Sequence, residues 1–528
     1  MKNRKARLRE GFGKKPDVHY FSGDMEHIRA YFDFRRDSGR DGFLLDDITW
    51  NDLDLDRVFR RINPKRCTSG EQYLYYMLRS PAVDKESYQR RESLIRFAEK
   101  DPARRLKIET VLARLGCRRR ADLCQAFYPA AHGAGKLLIY LVLLLILLGT
   151  VVWTVLSAGG SLYAVVLSVV VNVLVHELSK RGAQKEYDTV NYIVNMIFAL
   201  QKLQRLHDAE LDAQLAPAYE SLRRLRAVTR TGGVSSAADG SGVAEIIATV
   251  TLLDLITFEF LKNKFGRCHE DVFTVHEYIG RLDAAISVAS YRQSLPAYAV
   301  PELDFAPDAA GRIFARGLVH PLLEDAVPND LETEKPILLT GSNASGKSTY
   351  LKTAALAVIM AQSICTVTAE AYSARAFRVY SSMALSDDLL AGESYYIVET
   401  KSLKRILDAA KQGEPVFCVV DEVLRGTNTV ERIAASSEVL HALSEADALC
   451  LAATHDIELC DLLEGQYRLF HFEEQVGEDG MLFDYRLRSG RACTRNAINL
   501  LHLIGFDDAI VENAHARANR YLESGTWL

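Results

Sequence analysis

The chain has 528 residues, a formal net charge of -5, 48% hydrophobic and 25% charged side chains. This is an ordinary globular balance with no overall basic signature, so any contact with nucleic acid must rest on a local patch. Nine cysteines, an odd number without a Cys-x-x-Cys pair, argue against a disulfide framework or a zinc site and for a reducing compartment.

The length predicts two to four domains. At the N-terminus Lys2, Arg4, Lys5, Arg7, Arg9, Lys14 and Lys15 stand against Glu10, and no apolar run follows. Residues 1–42 are therefore expected to be a flexible basic segment, not a secretory signal. From Phe43 the pattern becomes globular, with short helical repeats and breaks at Pro64 and Pro81. An all-α domain is predicted over residues 43–300.

Inside that domain, residues 137–175 carry no charged side chain. A single helix of that length would run roughly 58 Å at 1.5 Å per residue, about twice a bilayer core. Gly159-Gly160 supplies a break, which predicts a transmembrane hairpin over 137–178: one span at 137–157 and a shorter one from 162, containing Asn172. Arg118, Arg119, Arg120 and Lys136 precede the hairpin, and Lys180, Arg181 and Lys185 follow it. The positive-inside rule then puts both termini in the cytoplasm of a protein crossing the plasma (inner) membrane twice, with lipid as its partner. The alternative is an apolar hairpin buried in protein or in an oligomer. Beyond it, residues 186–229 repeat apolar positions at helical spacing, with Pro217 expected to end or kink the helix. A Gly/Ser/Ala-rich tip spans 231–242 and a second helical region returns to about 295. Pro296, Pro301 and Pro307 mark the passage into a C-terminal domain, 301–528.

The most informative stretch of that domain is Gly341-Ser342-Asn343-Ala344-Ser345-Gly346-Lys347-Ser348-Thr349, between an apolar strand at 336–340 and a helix at 347–363. This fits the phosphate-binding loop pattern, in which glycines let backbone N–H groups surround phosphates and the helix N-terminus adds its positive dipole end. Lys347 is positioned for the β and γ phosphates of ATP and the Ser348 hydroxyl for Mg²⁺. A second apolar strand, 416–420, delivers Asp421 and Glu422 where a parallel α/β sheet carries its ligand chemistry. Asp421 suits Mg²⁺, and Glu422 the orientation or deprotonation of the attacking water. A third strand, 448–453, ends at His455, a donor for the γ-phosphate. Ser394 is a plausible cap for a helix over 395–410.

In order along the chain, residues 341–350, 387–399, 421–427 and 453–459 resemble the ATPase domain of the MutS mismatch-repair family. Residues 505–511 are similar to that family's closing helices, and 45–97 and 282–301 to the two ends of its helical core and lever. The resemblance implies a mixed fold: an all-α core/lever domain interrupted by the hairpin, then an α/β P-loop domain of the ABC class with C-terminal dimerisation helices. It also implies a homodimer with ATP sandwiched between protomers, Ser394 contacting the partner's nucleotide. Residues 1–42 are too short for the family's mismatch-reading and connector domains, and no Phe-x-Glu wedge occurs there, so mismatch-specific DNA binding is not expected. The reading is a membrane-anchored, DNA-associated ATP hydrolase moving a helical lever. The alternative is a membrane scaffold or signalling ATPase without DNA. A transporter is disfavoured because a hairpin lacking intramembrane charge does not readily line a substrate path.

Overall fold

The computed structural model describes the chain except residues 1, 40, 128–134, 158–161, 232–241, 307, 308, 310, 343, 344, 384–394, 426, 478, 479, 492–497, 499, 500, 502–504, 525, 527 and 528. Contacts divide it into two units. One comprises Met1–Arg40, Ile62–Tyr76 and Ser93–Tyr291, the other Asp41–Arg61, Met77–Glu92 and Arg292–Leu528. The helical domain expected over 43–300 therefore gives up two N-terminal stretches to the C-terminal unit.

In chain order the helices are α1 (Lys2–Gly11), α2 (Asp24–Ser38), α3 (Asp47–Asp52), α4 (Leu55–Ile62), α5 (Thr68–Arg79), α6 (Lys85–Lys100) and α7 (Pro102–Leu115). There follow α8 (Gly135–Leu156), α9 (Leu162–Gly182), α10 (Gln184–Gln204), α11 (Ala209–Thr231), α12 (Gly242–Thr251), α13 (Leu253–Arg267) and α14 (His269–Gln293).

The first unit is helical. Its N-terminus is not the flexible tail expected over 1–42. α2 buries Ile28, Tyr31 and Phe32 on one face, and Gly13 N donates to Ser290 Oγ at 3.0 Å. The charge count concealed an ordinary amphipathic helix, whose Tyr31 ring lies edge-on to Tyr76 at 5.4 Å. Deeper in the unit, buried Arg66 binds Asp283 Oδ1 at 2.6 Å and Ser287 Oγ at 2.7 Å. This is possible because α5 approaches α14 at Gly70, where a Cβ would stand 1.7 Å from Asp283 Oδ2. Pro217, expected to end or kink its helix, lies inside α11. Leu215, Ala218, Leu222 and Leu225 are all buried around it, and that packing outweighs the lost backbone bond.

α8 and α9 are long and apolar enough to cross a membrane by length and composition, and in each only 11% of the most apolar window is buried. Leu145 and Leu167 are 66% and 65% exposed, so the hairpin is not the core of this unit. α9 continues to Gly182, past the expected end at 178. The helical region expected from 243 to about 295 is broken at Leu252, whose φ is +57°, and again at Cys268.

The second unit contains β1 (Glu302–Asp304), β2 (Ile313–Leu318), β3 (Asn329–Thr333), β4 (Ile337–Thr340), β5 (Ala371–Arg375) and β6 (Arg378–Ser382). It continues with β7 (Val416–Asp421), β8 (Ala448–Ala453), β9 (Arg468–His471), β10 (Glu474–Gly477), β11 (Gly480–Phe483) and β12 (Arg488–Ser489). The main sheet has the order β12-β9-β4-β8-β7-β6. Its pairs are parallel apart from the antiparallel edge β12–β9. β4 and β7 are buried at every position, as expected of parallel strands covered on both faces. Helix α15 (Lys347–Ile364) packs under this sheet, and α16 (Tyr395–Ala410), α17 (Thr429–Glu445) and α18 (Glu458–Leu462) follow. The order β1-β5-β2-β3 makes a smaller sheet. α3 is tied to the β6 edge, where Asp52 Oδ2 accepts from Ser381 Oγ at 2.6 Å and Met383 N at 3.0 Å. That bond explains why Asp41–Arg61 belongs with this unit.

Candidate functional site

β4, β7 and β8 end side by side, so the loops after them converge at the carboxyl edge of the sheet, the usual place for a ligand in a parallel α/β architecture. After β4 the chain turns at Gly341 with φ +138° and re-enters α15 through Gly346 with φ +107°. Both lie in backbone regions that glycine alone adopts readily. A Cβ on Gly341 would also approach Phe472 O to 2.9 Å. Asn343 and Ala344, expected in the same loop, and Ser394 lie outside the described residues.

Lys347, in the first turn of α15, is 5% exposed. Its Nζ donates to Gly341 O and Ser342 O, each at 2.8 Å, and lies 3.4 Å from His455 Nε2. Ser342, Ser345, Gly346, Ser348, Thr349, Asp421, Glu422 and His455 line the same cavity, about 430 Å³ in volume. Among the described residues, Ser345 Oγ is buried without a hydrogen-bond partner. Asp421 closes β7 and is buried. Glu422 follows in the left-handed region at φ +56°, strain of the kind that concentrates at functional sites. Its Oε1 lies 2.9 Å from His455 Nε2 and its Oε2 2.6 Å from Arg425 Nε. The hydrogen bond from His455, with the positive charges of Arg425 and Lys347, holds the Glu422 carboxyl below the usual carboxylate range.

The family model for MutS domain V matches residues 337–522, which contain every one of these loops. The chain is MutS-like. DNA mismatch repair protein MutS of Natronomonas pharaonis is 34% identical over 275 residues, 50% of this chain and 31% of that protein. DNA mismatch repair protein MutS 2 of Halobacterium salinarum is 35% identical over 214 residues, 38% of this chain and 24% of the relative. MutS of Thermus thermophilus is 32% identical over 215 residues, 40% and 26% of the two chains. The MutS-like chain thus spans less than a third of the length of the curated relatives it matches.

Around the MutS-like core of the site the structure adds residues that motif reasoning missed. Tyr485 comes within 3.2 Å of the position a Cβ would take on Gly346. Asn329 at the start of β3 pins it: Nδ2 donates to Tyr485 O at 2.9 Å and Oδ1 accepts from Leu487 N at 2.7 Å. His320 lines the same cavity, and burial, with Lys352 nearby, lowers its imidazole to about 4, so it is neutral at physiological pH. None of these residues belongs to a nucleotide motif, and the only sequence signal was an aromatic pair, Phe483 and Tyr485, past β10.

Two further contacts stiffen the loops. Glu399 of α16 is buried, and its Oε1 accepts from Leu424 N at 2.6 Å. Leu424 is itself left-handed at φ +57°. Arg432 grips Asp456, next to His455, through Nε at 2.9 Å and its terminal nitrogen at 2.6 Å.

Proposed function

We propose that the chain is an ATP hydrolase of the MutS type, a P-loop ATPase of the ABC class, acting as a homodimer and anchored in the plasma membrane by α8 and α9. The observation that carries the ATPase reading is the convergence of Lys347, Ser348, Asp421, Glu422 and His455 on one cavity at the N-terminus of α15. The helix dipole and loop amides favour the phosphates there. Lys347 exchanges its bonds to Gly341 O and Ser342 O for the β and γ phosphates. The Ser348 hydroxyl and Asp421 carboxylate are hard oxygen donors that suit Mg²⁺. When bound, Mg²⁺ neutralises charge on the β and γ phosphates.

Glu422, ionised and oriented by His455 and Arg425, accepts a proton from a water whose oxygen bonds to the γ-phosphorus. The bond to the β–γ bridging oxygen breaks, leaving ADP and phosphate. His455 donates to the γ-phosphate oxygens as charge builds on them. Ser394 of one protomer is assigned to the partner's nucleotide. The closing helix Asp508–Ser524 exposes Ile510 at 52% and Tyr521 at 41%, an apolar face suited to a second copy. Hydrolysis in this composite site is coupled to movement of the helical lever.

Exposure supports the anchor: α8 and α9 leave most of their apolar surface uncovered by protein, and basic residues flank both outer ends of the hairpin. Two passes keep both termini cytoplasmic, the side that holds ATP. The relatives' name favours DNA as the lever's client. The net charge of -5 favours the second reading, a membrane scaffold or signalling ATPase without DNA.

The deciding experiment is Mg²⁺-dependent ATP turnover by purified protein. Lys347→Ala is expected to lose nucleotide affinity, and Glu422→Gln to bind ATP and retain it. Native turnover by Glu422→Gln would remove Glu422 as the base. DNA affinity that falls linearly in log–log form with salt selects the first reading, and its absence the second.

A further inference from the structure

We infer that α12 is a third membrane-embedded element, lying beside α9 with Ile246 and Ile247 against lipid acyl chains. The inference rests on the membrane-anchor reading proposed above and extends it to a helix too short to register as a span. Its basis is register. Asn172 Nδ2 donates to Val250 O at 2.8 Å, and His176 Nε2 lies 2.8 Å from Asp254 Oδ2. Residues four apart on α9 thus meet residues four apart on the α12–α13 segment, so the two run parallel at matched depth. Beyond the end of α9, Phe258 of α13 stacks on Tyr187 of α10, ring centroids 3.7 Å apart, and Lys262 pairs with Glu186. Carried backwards, the offset sets residues 242–250 alongside 164–172, the half of α9 nearest its start at Leu162. If α9 crosses the bilayer, α12, about 15 Å long, is inside the hydrocarbon over half the thickness of a roughly 30 Å core.

The polar chemistry fits that setting. The break at Leu252 frees carbonyls at the end of α12, and in lipid such groups must find partners within the protein. Asn172, 0% exposed, meets this need for Val250 O through Nδ2, while its own Oδ1 has no hydrogen-bond partner among the described residues. The hydroxyls of Thr150, Thr154, Ser168 and Thr251 each donate to a carbonyl three or four residues back in their own helix. Meanwhile Ile246 and Ile247 are 65% and 53% exposed, and water is a poor environment for adjacent isoleucines on a helix already packed against an apolar hairpin.

The test uses full-length protein in phosphatidylcholine/phosphatidylglycerol vesicles with brominated acyl chains, which quench tryptophan on contact. Native Trp153 in α8, 65% exposed, reports the hairpin. Ile247→Trp in a Trp153→Phe background, with Trp153→Phe alone subtracted, reports α12. Ile246→Trp repeats the measurement should the first variant fold poorly. The expected result is quenching by bromolipid comparable to that of Trp153, with no effect of aqueous iodide. If Trp153 is quenched by bromolipid while the α12 signal responds only to iodide, α12 lies in water and the inference falls with the anchor intact. A signal insensitive to both quenchers means protein covers that face, which also overturns it. If Trp153 is insensitive to bromolipid, the anchor reading itself fails.

Discussion

Removing the Glu399 side chain asks whether the catalytic loop is held in its strained shape by a single hydrogen bond. Glu422 and Leu424 are both left-handed, at φ +56° and +57°, and for residues with a Cβ this conformation costs roughly 1–2 kcal/mol each. Opposing that strain, Glu399 Oε1 accepts from Leu424 N at 2.6 Å in a buried setting. A hydrogen bond to a charged group is worth about 1.5–3 kcal/mol. The two figures are of similar size, so Glu399→Ala leaves the strain unopposed and a buried N–H unpaired. The loop is then expected to relax, and with it the contact of Glu422 with His455. A loss of about 1.5–3 kcal/mol corresponds to a fall in the competent population, and hence in kcat, of about tenfold to a hundredfold. Affinity for ATP should hold, since Lys347 and Ser348 hang on α15 and are untouched. Glu399→Gln, which keeps an acceptor oxygen, should recover much of the loss. Steady-state turnover combined with equilibrium binding of a fluorescent ATP analogue separates these quantities. Turnover of Glu399→Ala at the native rate, or a parallel loss of ATP affinity, would refute the reasoning.

Because Glu422 is held below the usual carboxylate range, its base form should persist as pH falls through the ordinary glutamate value and be lost only below it. Arg425→Ala should move that acid limb of kcat upward, measurable in a pH–rate profile. Mixing Ser394→Arg with Lys347→Ala protomers should restore partial activity, since one composite site then carries neither substitution; a monomeric, fully active enzyme would exclude the shared site. The protein should resist alkaline carbonate extraction, and in a background without the native cysteines a label at Ser161 should react with an impermeant reagent from outside while one at Ser22 should not. Burial raises the Glu71 carboxyl from 4.5 to about 7. An acid held protonated in the fold loses stability as pH rises from about 4.5 to 7, then levels off, so Glu71→Gln should stabilise the first unit by about 3 kcal/mol above pH 7. Hydrogen exchange of α5 at pH 5 and pH 8 checks this, and a pH-independent effect would contradict it.

What the amino-acid sequence determined by itself is local. Gly341 and Gly346 stand where positive φ is needed, Lys347 and Ser348 begin a helix, and Asp421, Glu422 and His455 follow apolar strands, so spacing alone brought the site chemistry into view. The two long apolar helices α8 and α9 were equally legible, because they are marked by hydropathy summed over consecutive residues. Tertiary structure decided what joins what. β8 lies between β4 and β7, Tyr485 and Asn329 reach the cavity from separate elements, and Asp41–Arg61 attaches to the second unit through Asp52. Such pairings come from surfaces and hydrogen bonds distant in sequence, which leave no periodic trace in either partner. The same reason hid α2 behind its charges and left Pro217 inside a helix. It also made Asn172, a polar residue in an otherwise apolar run, the donor to Val250 O at the end of α12.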